Sequence, residues 1–143
     1  MLVPKHKRAH GSRGDAIVEG ALIILILANV LIGVFDLANV LFIRQTFVYR
    51  TRSAARYGAI TNADETAVKN MVLYGSPTVP QGATSGSFGL TAGMISVLKS
   101  DAGTSEQRVV VTISAYPYRF FTPWIAGTFS GRDIIASAPL ETP

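Results

Sequence analysis

Between Gly20 and Phe35 the chain is apolar throughout except for Asn29, and no proline occurs from Pro4 to Pro77. Ala21 to Phe35 contains eleven Leu, Ile, Val or Phe residues. At about −0.3 to −0.6 kcal/mol each, these contribute roughly −3 to −7 kcal/mol toward insertion into lipid. That sum outweighs one charge near the end of a span, where burial is shallow. Two carboxylates frame the run, Glu19 and Asp36, 17 positions apart. On a helix they lie ~26 Å apart at ~1.5 Å per residue. A hydrocarbon core is ~30 Å thick, so each carboxylate falls near one interface. Asn29 falls near the midplane between them, and Asn39 follows just beyond Asp36.

Three organisations accommodate such a run. A secretory signal needs a short apolar core followed by a small-x-small cleavage site. Here Asp36-Leu37-Ala38-Asn39 follows, a poor site. An unprocessed single-pass anchor is the simplest alternative, but it gains nothing from an acid at the mouth of its span. The third reading turns on the order of what precedes: a basic leader, Gly14, four residues, Glu19, then the apolar helix. That order suggests a membrane precursor whose basic leader is trimmed.

The charge distribution fits a removable leader. Lys5, Lys7, Arg8 and Arg13 precede Gly14 with no acid among them, whereas from Asp15 onward nine basic and nine acidic side chains balance. A phosphate-binding surface would therefore be lost with the leader, and a nucleic-acid partner is not expected. The chain has no cysteine, and both histidines, His6 and His10, lie in the leader. This excludes disulfides and thiolate metal sites, and it removes most nucleophile–base pairs. No catalytic residues, metal ligands or cofactor are expected. Membrane topology is not legible from charge: four basic residues precede the span, and Arg44, Arg50, Arg52 and Arg56 follow it.

Past Phe35 the helical pattern continues but turns amphipathic. Val40, Phe47 and Ala54 recur at spacing seven, as do Leu41, Val48 and Ala55. One continuous helix is expected from about Ala16 to about Gly58. Its stripe packs either on this chain's own strands or on the helices of neighbouring subunits, and the two uses are compatible.

Residues 59–143 read as a small domain. Asn62 is a candidate helix cap, with Glu65 three positions on and a short helix to Leu73. Asp64 and Glu65 read as first-turn acids rather than a catalytic pair. Gly75 to Gly89 reads as a loop. Strands are expected at Met94–Leu98, at Gln107–Tyr116 and at Ile134–Ala138, with a turn at Ser100-Asp101-Ala102-Gly103. The fold class is α+β, a long helix followed by a small antiparallel sheet. Tyr116, Tyr118, Phe120, Phe121 and Trp124 form an aromatic segment. It serves either as the core that locks sheet to helix or as a patch for a partner or sugar.

Arg13 to Ile60 resembles the TadE-like minor pseudopilins of tight-adherence pilus systems. The matching residues are Arg13-Gly-Asp-Ala-Ile-Val-Glu19 with the Leu/Ile run, then Gly33-Val-Phe-Asp-Leu37, Arg44-Gln45 and Ala54-Ala-Arg-Tyr-Gly-Ala59. Val109 to Tyr118 is similar in style. Gly20 stands where that family carries a bulkier residue, and Asp15 adds an acid beside the new amine. The resemblance implies a pilin-like fold and cleavage between Gly14 and Asp15 by a membrane prepilin peptidase. It further implies that Glu19, fifth in the trimmed chain, pairs with the amino terminus of a neighbouring pilin-like subunit. The implied location is the bacterial inner membrane, with the C-terminal domain extracytoplasmic, or the pilus itself. The role implied is structural. The alternative is an unprocessed envelope protein whose small domain binds a partner or glycan.

Overall fold

α1 (Ser12–Thr61) is one unbroken helix of 50 residues, about 75 Å long at ~1.5 Å per residue. It extends past both expected ends, since nothing in its sequence forces a stop. The computed structural model describes residues 12–100, 106–122 and 127–140. The basic leader before Ser12, the turn at 101–103 and Trp124 lie outside the described residues.

α1 stops at Asn62, whose left-handed backbone (φ 46°) turns the chain. The cap of the next helix is therefore Asp64 and not Asn62. A cap needs extended backbone. Asp64 has it (φ −69°, ψ 160°), and its side chain accepts from the Ala67 N–H. Asn62 instead accepts from Lys99 Nζ at 2.7 Å. α2 (Glu65–Tyr74) follows, with Glu65 paired to Lys69 at 2.6 Å one turn on. Gly75 ends it in the left-handed region (φ 76°), with its N–H on the Met71 carbonyl.

Five strands follow: β1 (Ile95–Ser100), β2 (Arg108–Ile113), β3 (Pro117–Arg119), β4 (Thr128–Ser130) and β5 (Ile134–Pro139). β1, β2 and β5 form an antiparallel sheet in the order β1-β2-β5, and β3 pairs with β4 as a separate antiparallel ribbon. The α+β layout is as expected. The central strand is shorter than its sequence pattern: Ala115 adopts a left-handed backbone (φ 54°) and breaks the run before Tyr116. β3 and β4 are not legible as strands, since three residues carry little pattern and β3 also starts at a proline.

The alternation in β2 holds. Val109, Val111 and Ile113 are buried, with Arg108, Val110 and Thr112 on the other face. Phe47, Ala54, Ala55 and Ala59 of α1 meet them from below, and Val68, Val72 and Leu73 of α2 close the side. The small residues of α1 permit this approach. A Cβ at Gly58 would stand 2.9 Å from Val68 Cγ2 and 3.3 Å from Val109 Cγ1. Gly58 is thus the point where α2 and the sheet both touch α1. The spacing-seven stripe packs mainly on this chain's own sheet, with Phe47, Ala54 and Ala55 buried but Leu41 left exposed.

Candidate functional site

The candidate site is the first half of α1 and the collar where that half ends. From Gly14 to Phe35 every side chain is exposed, apart from partial cover at Gly20 and Asn29. Ile17, Leu22, Ile24, Leu27, Leu31 and Val34 all face outward with no partner from their own domain. This is one helix near the N-terminus that is long and apolar enough to cross a membrane. Its second half, from Val40 onward, packs into the domain core. One helix therefore has two environments, and the change occurs at Asp36.

Gly14, Asp15 and Glu19 lie in the exposed first turns. No ion pair or hydrogen bond to Glu19 forms among the described residues. Asn29 donates from Nδ2 to the Leu25 carbonyl at 2.8 Å. Bonding to its own helix lowers the cost of an amide in an apolar setting.

Asp36 is different. It is only 3% exposed although it follows a run of bare residues. Oδ1 accepts from the Phe121 N–H at 2.8 Å, and Oδ2 accepts from the Thr122 N–H at 2.8 Å. The Thr122 hydroxyl also donates to Oδ2. Three donors satisfy the carboxylate, and the Thr122 hydroxyl with the two N–H groups holds it below its ordinary range. The loop after β3 is thereby clasped to α1 at the end of the apolar run. A contact across 85 positions has no signature in local sequence.

Above the collar, Asn39, Ile43, Phe88, Tyr116, Arg119 and Phe121 line a cleft of about 320 Å³. The aromatic segment divides along its length. Tyr116 and Tyr118 are core residues with rings 5.0 Å apart, and Phe47 meets Tyr116 edge-on at 4.7 Å. The Tyr116 hydroxyl donates to the Phe88 carbonyl at 2.7 Å. Burial pushes both phenols above their ordinary range, the Tyr118 effect being eased by Arg44. Phe121 instead faces outward and meets Phe35 edge-on at 5.9 Å.

Arg50, in sequence one of four basic residues that follow the apolar run, is a half-buried clip. It donates from Nη1 to the Leu73 carbonyl at 2.9 Å, to the Val72 carbonyl at 3.4 Å and to Ser87 Oγ at 2.7 Å. The end of α2 and the loop after it are so tied to α1. A cation at a helix C-terminus also complements the helix dipole. Among the described residues no three metal-ligating side chains cluster. Comparison with protein-family models, with curated proteins and with solved structures finds no match to this chain.

Proposed function

We propose that this chain is a membrane-anchored, pilin-like structural subunit of a Tad-type pilus or related secretion assembly, cut between Gly14 and Asp15 by a prepilin peptidase. The observation that carries the reading is the division of α1. From Gly20 to Phe35 its first half offers apolar side chains to its surroundings, Asn29 excepted, while its second half is the spine of a small α+β domain. A helix built this way serves both as a membrane span in the precursor and as a strut that packs against like helices in an assembly. Glu19 supports the same reading. It has no described partner in its own chain, and a carboxylate in an apolar setting calls for a cation from elsewhere. The amino terminus freed at Asp15 of an adjacent subunit meets that need and sets the axial register. The domain then stands on the extracytoplasmic side of the inner membrane or on the filament.

N-terminal sequencing of the protein from membranes tests the cut. A chain starting at Asp15 is expected, and an intact leader or a start near Ala38 would sink the proposal. Glu19→Ala is expected to leave membrane insertion intact and to reduce co-assembly with other pilin-like subunits, measured by co-purification from crosslinked membranes. Wild-type co-assembly in that variant rules out the pairing role. A second reading, an unprocessed envelope protein that holds a glycan or partner, draws on the aromatic cleft of Asn39, Tyr116 and Arg119.

A further inference from the structure

Phe121 has no use in an account built on α1 alone. It is 70% exposed on the loop after β3, and its ring rests against Phe35, itself 61% exposed. Two phenylalanines left in contact with each other and uncovered by the rest of the domain are unfavourable in water. Their position is nonetheless enforced. Asp36 grips the N–H groups of Phe121 and Thr122 together with the Thr122 hydroxyl. A buried carboxylate thus fixes the height at which an exposed aromatic ring stands.

That height is informative. Glu19 and Asp36, which frame the apolar run, lie about 26 Å apart at ~1.5 Å per residue, close to the ~30 Å of a hydrocarbon core. Phe35 then sits where hydrocarbon gives way to headgroups, and Phe121 sits beside it. Arg119 is exposed two residues before Phe121, and Arg44 is exposed on α1 beyond the collar. Apolar rings below and guanidinium groups above follow the polarity profile of a bilayer surface.

We propose that residues 119–122 form a second membrane contact of the domain, additional to the span. In it Phe121 and Phe35 embed at the outer edge of the hydrocarbon, and Arg119 meets the phosphates of anionic phospholipid. Asp36 is the positioning residue that holds the loop at this depth. The proposal rests on the reading that residues 14–35 cross a bilayer. The occupant is lipid because the ring is continuous with the bare apolar run through Phe35.

The test uses the full chain reconstituted into vesicles of phosphatidylcholine and phosphatidylglycerol. Phe121→Trp in a Trp124→Phe background moves the chain's only tryptophan to the loop. Lipids brominated near the headgroup end are expected to quench this indole about twofold more strongly than lipids brominated near the chain terminus, as an interfacial ring requires. Adding Asp36→Asn is expected to abolish that preference, and adding Thr122→Val to weaken it. If Asp36→Asn does not fold, by circular dichroism, Thr122→Val alone reads the positioning role. An indole quenched by aqueous acrylamide but not by either lipid, in protein that resists alkaline extraction, overturns this inference and leaves the span standing. An indole shielded from acrylamide and from both lipids means that a second copy or another surface covers Phe121, which also overturns it. Protein removed by alkaline extraction overturns the span on which it rests. Undiminished lipid quenching in folded Asp36→Asn and in Thr122→Val overturns the role of Asp36.

Discussion

Glu19 and Asp36 look alike in the sequence, two acids at the ends of one apolar run, and the fold treats them in opposite ways. Glu19 stays exposed without a described partner. Asp36 is buried under three donors from a loop 85 and 86 positions away. Spacing along a helix places both residues at the ends of the apolar run, but it carries no information on which one the chain itself will cover. Arg50 shows the same limit. In sequence it is one of four arginines on a helix, and only the tertiary fold brings the end of α2 onto it. Replacing Arg50 with Met keeps the stem and removes the donors. Two carbonyls and the Ser87 hydroxyl then lose a charged partner, and the domain is expected to lose about 1–3 kcal/mol. Urea unfolding of the detergent-solubilised protein, followed by near-ultraviolet circular dichroism, measures this. No change in midpoint would mean that water replaces the guanidinium fully.

At the level of elements, legibility follows pattern strength. α1 is plain from its uninterrupted periodicity and the absence of proline. β2 is plain from its alternation, though its end is set by the left-handed backbone at Ala115, which alanine does not advertise. The cap of α2 falls on Asp64 because Asn62 is taken up in stopping α1. Both residue types suit a cap, so only the backbone decides between them. β3 and β4, three residues each, lie below what a period of two can reveal. The sharpest element-level constraint is the crossing at Gly58, where α1, α2 and β2 come closer than ordinary contact distance to a single missing methyl. Gly58→Leu would drive several heavy atoms into Val68 and Val109. We expect a loss of about 1–3 kcal/mol or more from overpacking, read from the same unfolding curves. A variant as stable as the wild type would show that α1 slides to make room.

For the whole molecule, the buried side chains of α1 among the described residues lie from Asp36 onward, so the domain's core owes nothing to the apolar run. A fragment beginning at Phe35 is expected to fold cooperatively without the apolar half, which near-ultraviolet circular dichroism would check. A molten fragment would show that the span supports the core. The core also carries a pH limit. Burial raises Tyr116 and Tyr118 above 10.0 in the folded state. The folded protein therefore holds these protons more tightly than the unfolded chain. Their contribution is intact below pH 10.0 and is lost as pH rises through the folded values. Stability is expected to be flat across neutral pH and to fall on the alkaline side, tracked by tyrosinate absorbance alongside unfolding. Finally, an unbroken α1 fixes an angle as well as a distance. Each residue of an α-helix adds ~100° of rotation and ~1.5 Å of rise, and α1 has no joint in which to lose either. Glu19 is therefore clocked against the face of the domain like a bit on a key shaft. One residue inserted into the apolar run would turn that bit by about a quarter of a circle, with no change in apolar character.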